Sequence, residues 1–481
     1  MKNIFKTISL SFLVILTMLS CSKEDIAKLN EDGKHPLDLP AETLLRMGQE
    51  QFFYYTFTPN VNYNNFRFFT QQIVETTYFD ETRYDFGRNQ PRNNWNRMYV
   101  NTLNNFAQGK ENLEDEIIAD QDIKDNMWAT LEVAEIIAWE HIVDTYGDVP
   151  YFDALNASGE NFAPVYDDAR SIYDDLVTRI DAVVAMIDTS KPGFGKGDLV
   201  YGGDMDKWRK AANSLKFRLA MNLADVDAGT SKSWASEALA AGVIDSEEEA
   251  YSMNFAGGTF NNPVYDDFIA SGRRDFVASL VTIDPMNDRN DPRREVWFTT
   301  VDGNYIGGVP GVGNPFSSFS QYKPTEEGGF MLDPMASANL LSYEEILLLK
   351  TEAAQRGGYG LSNPADYYEQ SVLASMELNG VSDSDAQAYL AANPYDASNW
   401  KKSIGAEAYT ALFNRAFASW NFVRRLDYPA LENPESSFVD DVPVRMPYSD
   451  QEYLLNETNV ESAAQAIGGD DVTTKLFWDV N

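Results

Sequence analysis

Two segments of the chain concentrate aromatic, amide and arginine side chains that could bind a neutral sugar. Flat aromatic faces cover the C–H faces of sugar rings, and guanidinium and amide groups form paired hydrogen bonds with hydroxyls. The candidate ligand-binding residues are Arg83, Tyr84, Asn94, Trp95, Asn96, Trp297, Asn304, Tyr305 and Tyr322. Peptide sites need a similar mixture of aromatic pockets and polar groups, so a glycan and a peptide both remain open as ligands.

Packing in the core is the alternative for several of these aromatic residues. Trp95 and Tyr99 are four residues apart, so they could begin a helix and face the interior. Trp297 lies in 295–301, which alternates like a short strand and could bury it. Tyr305 precedes a Gly-Gly pair, which lets the backbone approach a ligand closely. We expect ligand contact for Tyr305 and burial for Tyr99, and leave Trp95 and Trp297 open.

Catalysis is a weaker interpretation of the same sequence. The 74 acidic residues could include a two-carboxylate glycosidase pair, and His141 could act with a nucleophile and an acid. No Gly-x-Ser-x-Gly nucleophile motif is present, however, and a lone helical histidine is more often a packing residue. We therefore predict that the protein is not an enzyme.

One acidic segment could bind a cation. Its oxygen-bearing side chains are Asp284, Asn287, Asp288, Asn290 and Asp291. Such oxygens suit Ca²⁺, but the spacing lacks the glycine and the trailing glutamate of an EF-hand loop. A polar turn is the favoured interpretation, with an ion pair in Asp291-Pro292-Arg293, and we predict no cofactor.

Composition excludes several classes of protein. The 481 residues carry a formal net charge of −36, which disfavours nucleic acid as a partner. A hydrophobic content of 44% is nevertheless sufficient for a large core. The single cysteine, Cys21, excludes an internal disulfide, a thiolate zinc site and an iron–sulfur cluster.

The N-terminus predicts export and lipidation. Lys2 and Lys6 precede an apolar stretch at 8–19, which is too short to span a bilayer and is typical of a signal peptide. Met18-Leu19-Ser20-Cys21 resembles a lipobox, so we expect cleavage after residue 20 and lipidation of Cys21. The polar residues 22–25 resemble a surface-export signal, with an ordinary tether as the alternative. Residues 21–40 then form a lipidated tether, and 41–481 form a single domain.

The domain is predicted to be mainly α-helical. Apolar residues recur at helical spacing in seven segments, and glycine and proline mark their ends. These segments are 41–55, 125–144, 169–187, 204–223, 342–355, 365–379 and 406–424. Two regions, approximately 60–100 and 255–335, are rich in loops. Long ordered loops on a helical scaffold usually carry function.

Six short motifs occur in a fixed order along the chain. They begin at Tyr146-Gly147-Asp148, Trp208-Arg209-Lys210, Asp291-Pro292-Arg293, Glu344-Glu345, Arg424-Arg425-Leu426 and Pro443-Val444-Arg445. Behind a lipobox, their order and spacing resemble those of the SusD/RagB nutrient-binding outer-membrane lipoproteins. The central loops suggest the SusD-like 2 subgroup. Most of these residues are expected to be structural, with Gly147 as a helix C-cap and Arg424 and Arg425 at a helix end.

The resemblance implies a fold, a function and partners. Four tetratricopeptide-like helix pairs would form an α-α superhelical scaffold, and an irregular loop-rich half would bind the ligand. The protein would bind a glycan without chemistry and deliver it to a SusC-like TonB-dependent transporter, facing the exterior of the outer membrane. Asn94, Trp95 and Tyr99 match a family segment beside the ligand. A peptide-binding member of the family and a surface adhesin without a transport role are the alternatives.

Overall fold

A computed structural model describes residues 39–155 and 162–480, and that part of the chain is mainly helical. We number its helices of ten or more residues α1 to α12. They are Ala41–Phe57, Asn104–Asp115, Gln121–Tyr146, Ala169–Met186, Met205–Asn222, Ala228–Ala241, Tyr343–Arg356, Pro364–Leu378, Asp383–Ala392, Trp400–Ala411, Ala416–Leu426 and Glu457–Ala466. Shorter helical segments are Phe66–Phe69, Gln90–Asn96, Arg97–Leu103, Pro263–Tyr265, Asp266–Ala270, Leu280–Asp288, Arg293–Trp297 and Glu452–Leu455. The predicted signal peptide, Cys21 and most of the tether lie outside the described residues.

Aspartate side chains begin four successive helices, α3 to α6. Each aspartate accepts a hydrogen bond from a backbone N–H in the first turn, which pairs a donor that the helix itself leaves free. These N-caps are Asp120, Asp168, Asp204 and Asp227. Helix α3 ends at Gly147, where φ is +87°, and the Gly147 N–H donates to the carbonyl of Val143. Such a backbone conformation favours glycine, so the predicted C-cap is confirmed.

Four consecutive helix pairs form the scaffold. Helix α3 packs against α4, α5 against α6, α7 against α8, and α10 against α11. Contacts of α4 with α5, α5 with α7, and α7 with α10 join each pair to the next. The mainly α fold with a tetratricopeptide-like helix-pair scaffold is therefore confirmed.

Buried charges of the scaffold are paired between helices. Helix α3 is buried on all sides from Ala129 to Tyr146, including its polar residues. The Arg218 guanidinium donates to Glu345 at 2.7 Å and to Glu140 at 3.3 Å, so one arginine joins α5 to α7 and α3. A buried charge is tolerated only when it is paired in this way.

His141 is a packing residue in this core. Its ring lies 5.7 Å from the Phe52 ring, 5.5 Å from Phe66 and 4.0 Å from Phe417. Burial, with the charges of Arg218 and Arg424, lowers the pKa of His141 to about 3, so the imidazole is neutral at physiological pH. The surroundings of His141 are therefore those of a core aromatic residue.

Two small antiparallel sheets stabilise the loop-rich half. Strand β1 (Ile73–Glu75) pairs with β3 (Phe276–Ala278), and β2 (Tyr251–Met253) pairs with β4 (Ala338–Leu341). The alternative of a short strand at 295–301 is wrong, because Arg293–Trp297 is a helical turn, but the burial of Trp297 that it implied is observed. Alternation of apolar and polar residues over so short a stretch does not distinguish a half-buried strand from a single buried turn of helix.

The Gly-Gly pair after Tyr305 allows two parts of the protein backbone to meet. A Cβ on Gly307 would lie 2.3 Å from the backbone N and Cα of Leu280. Gly308 continues the β3 region, since its N–H donates to the carbonyl of Ala278 and its own carbonyl accepts from Leu280. The Gly-Gly pair therefore allows a close approach, as expected, but the backbone approaches another part of the protein backbone there.

We expect Gly307→Ala to destabilise the protein. The new methyl group would overlap backbone atoms that cannot rotate away, so the free energy of unfolding should fall by about 1–3 kcal/mol. Urea denaturation measures this change. Gly229→Ala is the control, because the only neighbour of that Cβ is an Asp227 oxygen at 3.6 Å. Equal stability of both variants would contradict the contact.

Candidate functional site

The two loop-rich regions meet in a polar cleft. The β1–β3 pairing sets Glu75 opposite Phe276, and just beyond it the Thr76 N–H donates to the carbonyl of Asp275 at 2.8 Å. A cavity of about 120 Å³ opens beside this junction. We call it the polar cleft; its lining residues are Asn60, Val61, Asn62, Glu75, Thr77, Tyr78, Arg88, Asp267, Ser271, Arg273, Asp275 and Phe276.

Hydrogen bonds hold the polar side chains of the cleft in place. The Asp267 carboxylate accepts from the Thr58 hydroxyl at 2.9 Å and from the Asn60 amide at 3.0 Å. Asn60 in turn accepts from the side-chain amide of Asn62 at 2.8 Å. The Asn60 amide is thereby fixed in orientation next to the opening. A preorganised set of donors and acceptors binds a polar ligand with less loss of conformational entropy.

Tyr78 is the exposed aromatic residue of the cleft. Its side chain is 67% exposed, which is unusual for so large an apolar ring in a folded protein. The backbone of Tyr78 has φ +58°, a left-handed conformation that a tyrosine rarely adopts. Ten other non-glycine residues of the described chain also have positive φ, including the buried Tyr84, so exposure of the ring is what distinguishes Tyr78. Tyr78 therefore offers a free aromatic face beside fixed polar groups.

Two arginines complete the cleft, and each has a carboxylate partner. Arg88 pairs with Glu81, and Arg273 pairs with Asp275. About half of each arginine side chain remains exposed, so N–H groups not used in the pairs can donate to a ligand. Because carboxylates neutralise both cations, the arrangement suits a neutral hydroxylated ligand better than a polyanion.

Glu75, which lines the polar cleft, belongs to a pair of neighbouring carboxyl groups. Glu75 lies beside Glu81, and burial together with the Glu81 charge raises the pKa of Glu75 from 4.5 to about 9. Glu75 is therefore protonated at neutral pH and hydrogen-bonds to Glu81. Arg88, which also lines the polar cleft, pairs with Glu81.

Stability should decrease as pH rises, through Glu75. Between pH 4.5 and about 9 the folded protein keeps a proton on Glu75 that the unfolded chain has released. The contribution of Glu75 to the free energy of unfolding is therefore lost as pH rises. In Glu75→Gln the amide replaces the protonated acid and does not titrate. In this window we expect the free energy of unfolding to fall faster for the wild type than for Glu75→Gln. The difference should be on the order of 1 kcal/mol per pH unit. Urea denaturation of both proteins at pH 5 and 8 measures this difference. An equal fall in the free energy of unfolding for both proteins would contradict a protonated Glu75.

The structure places the predicted residues of the first segment around the cleft rather than in its lining. Arg83 lies between the rings of Phe79 and Phe438 and pairs with Asp80. Tyr84 is fully buried, with its hydroxyl 2.7 Å from the Gln71 amide.

The Asn-Trp segment points into the scaffold. Asn94 is buried and accepts from the Tyr146 hydroxyl at 2.9 Å. Trp95 is 6% exposed and packs on Tyr99 at 4.7 Å, so both rings belong to one aromatic cluster. Asn96 is half-buried and donates to Gln451. Packing uses the faces of Trp95 that a sugar would need.

The predicted residues of the second segment also lie outside the lining of the cleft. Trp297 is buried and donates to the side-chain amide oxygen of Asn379 at 2.6 Å, and Tyr322 is buried and stacks on Phe268. Asn304 is exposed at a turn, and Tyr305 is half-buried beneath the Arg294 guanidinium. These residues are not part of the polar cleft, and their role in ligand binding remains a prediction.

Two side chains of the segment at 284–291 bind other groups of the protein. Asp291 forms a buried ion pair with Arg293 at 2.7 Å, as predicted. The Asn287 side chain donates to the Tyr305 carbonyl and accepts from Arg294. Within residues 39–155 and 162–480, no group of three or more histidine, cysteine, aspartate or glutamate side chains is arranged to hold a metal ion.

Sequence reasoning did not single out Tyr78, Arg88 or the Asn60–Asp267 contact. The stretch that contains Tyr78 and Arg88 is rich in asparagine, arginine and aromatic residues, and this composition indicates a binding loop. Which of its aromatic side chains stays exposed depends on the β1–β3 pairing, which joins residues about 200 positions apart.

Comparison with known proteins identifies the family. Residues 35–449 match the SusD-like 2 family, described as starch-binding and associating with the outer membrane. The chain belongs to the SusD-like 2 family. SusD-like proteins are binding proteins rather than enzymes, and they associate with the outer membrane. No match was found among curated protein sequences.

Solved structures share the SusD-like fold over nearly the whole chain. A chitin-binding protein superposes with a TM-score of 0.80 at 27% identity, covering 92% of this chain and 100% of its own. A chitin-binding SusD homolog from Flavobacterium johnsoniae gives 0.74 at 20% identity, covering 92% and 98%. A SusD homolog from Bacteroides thetaiotaomicron gives 0.75 at 20% identity, covering 92% and 100%.

A membrane-spanning helix is not found in the described part of this SusD-like protein. None of its helices has both the length and the hydrophobicity that crossing a bilayer requires.

Proposed function

We propose that this protein is a cell-surface lipoprotein that captures an oligosaccharide in the polar cleft and delivers it to a SusC-like TonB-dependent transporter. The observation that carries the proposal is the exposed face of Tyr78 beside hydrogen-bonding groups that are already fixed in orientation. A sugar ring stacked on Tyr78 would bury apolar C–H groups against the tyrosine, while Asn60, Arg88 and Arg273 bond its hydroxyls.

Chitin-derived oligosaccharides are the first ligands to test. A chitin-binding protein with the same fold is 27% identical over almost the whole chain. An N-acetylated sugar offers a neutral amide as well as hydroxyls, and both suit a cleft lined by paired charges and asparagines. The net charge of −36 also disfavours polyanionic glycans, although the local charges of the cleft matter more.

Calorimetric titration of the purified protein from residue 22 onwards tests ligand capture. The panel comprises chitin oligosaccharides, starch-derived oligosaccharides and mixed peptides of similar length. We expect saturable binding of a neutral oligosaccharide and none of the peptides. Saturable binding of peptides alone would favour the peptide-binding alternative, because fixed amides also match a peptide backbone.

The anchor and the partner need tests in cells. The proposal has Cys21 lipidated and the tether at 21–40 holding the domain at the outer membrane, facing outwards. Metabolic labelling with a fatty acid should mark wild type and not Cys21→Ala, and protease added to intact cells should remove the domain. Co-purification with a TonB-dependent barrel supports delivery. A surface protein without such a partner would favour the adhesin alternative.

A further inference from the structure

A second cavity, larger than the polar cleft, lies elsewhere in the loop-rich half. Its volume is about 290 Å³, near the lower end of small-molecule binding sites, and it shares no lining residue with the polar cleft. The loop at 330–337 borders it on one side, and the ends of helices α8 and α10 border it on the other. We call it the apolar pocket.

Aromatic and apolar side chains form the walls and the mouth of the apolar pocket. The rings of Trp297 and Phe413 are stacked 5.0 Å apart at 17° and form one wall. Three large apolar side chains at the mouth are exposed: Phe330 by 39%, Met335 by 59% and Leu378 by 39%. Exposed apolar groups that converge on one opening mark a binding site, because covering them is favourable.

Arg415 lines the apolar pocket and also a smaller cavity that shares Phe57 and Asn339 with it. The Arg415 side chain is 8% exposed, and its Nη2 donates to Glu344 and to the carbonyl of Ala411. Its Nη1 is buried and has no hydrogen-bond partner among the described residues. Leaving such a donor unpaired costs about 1–3 kcal/mol, which an acceptor from a ligand would offset. Because Glu344 balances the charge of Arg415, a neutral acceptor is sufficient.

We propose that the apolar pocket is a second binding site, for a neutral small molecule that combines a flat apolar ring with a carbonyl oxygen, such as an aromatic ester or amide. The ring lies against the wall of Trp297 and Phe413 and beneath Phe330 and Met335. The carbonyl oxygen accepts from Nη1 of Arg415. This site is independent of the polar cleft and of the ligand that the cleft binds.

Saturation-transfer NMR on the purified protein tests the site with two probes. Methyl cinnamate has the ring and the carbonyl, and trans-β-methylstyrene has the ring without an acceptor. We expect methyl cinnamate to bind at about 1 mM, and the hydrocarbon to bind about fivefold to tenfold more weakly because it leaves Nη1 unpaired. No transfer to methyl cinnamate, or equal affinity for both probes, would overturn the proposal.

Variants of the mouth locate the binding. The double variant Met335→Ser with Leu378→Ser changes exposed residues only, so the fold should persist, and affinity for methyl cinnamate should fall at least fivefold. Met47→Ser with Leu454→Ser is the matched control, since both residues are exposed and neither lines the pocket. Loss in the control pair, or displacement of methyl cinnamate by an oligosaccharide that binds the polar cleft, would assign the probe to another site.

Discussion

Arg293→Met should lower the free energy of unfolding by about 3–5 kcal/mol, the largest stability effect that we expect from a single change. Arg293 is fully buried, and its guanidinium donates to Asp291 and Glu407 at 2.7 Å each and to the Ser375 hydroxyl at 2.9 Å. These contacts join the loop-rich half to helices α8 and α10. A methionine fills similar space but removes the nearest cation of two buried carboxylates, and only Arg289, 3.8 Å from Glu407, remains near them. Urea denaturation followed by circular dichroism measures the loss.

Two further proteins test the cause of that loss. Arg46→Met removes an exposed pair with Glu50 and should change stability by less than about 1 kcal/mol. Adding Asp291→Asn and Glu407→Gln to Arg293→Met removes the stranded charges and should restore part of the stability. A triple variant less stable than the single variant would show that lost packing, and not unpaired charge, dominates.

Tyr78→Ala should weaken oligosaccharide binding by about 10- to 100-fold. This range corresponds to about 1.5–3 kcal/mol, the free energy of burying one large apolar side chain. Tyr78 is mostly exposed in the free protein, so its removal takes little from the core. Calorimetric titration gives the affinity, and thermal unfolding of the free protein should change little.

Two comparisons make the Tyr78 result specific. Tyr78→Phe keeps the ring and loses the hydroxyl, so it should retain most of the affinity if stacking dominates. Phe152→Ala removes another exposed aromatic ring, which does not line the polar cleft, and should bind as wild type does. Equal affinity of Tyr78→Ala and Phe152→Ala would remove Tyr78 from the site.

The helical scaffold could be predicted because its signals are local. Apolar spacing placed six helices within a few residues of their observed bounds, and Gly147 was recognised as the end of one of them. The single helix predicted at 406–424 is wrong, because the chain leaves the helix after Ala411 and begins α11 at Ala416. Helices α2, α6, α9 and α12 were not singled out. Helix α6 is rich in alanine and serine, which give a weak apolar pattern, so its position depends on packing against α5.

The candidate site could be predicted only as a region. Composition pointed to the loops at 60–100 and 255–335, and the polar cleft lies where these loops meet. The aromatic residues chosen within them, such as Trp95 and Trp297, are largely buried, because large rings gain most from the core. The exposure of Tyr78 and the pairing of Arg425 with Glu352 both depend on contacts between distant parts of the chain.

A crystal structure of the protein with a bound chitin oligosaccharide tests the central claim most directly. We predict electron density for a sugar ring stacked on Tyr78, with its hydroxyls in hydrogen-bond contact with Asn60, Arg88 or Arg273. Density for the sugar beside Trp95 or Trp297, with an empty polar cleft, would contradict the account.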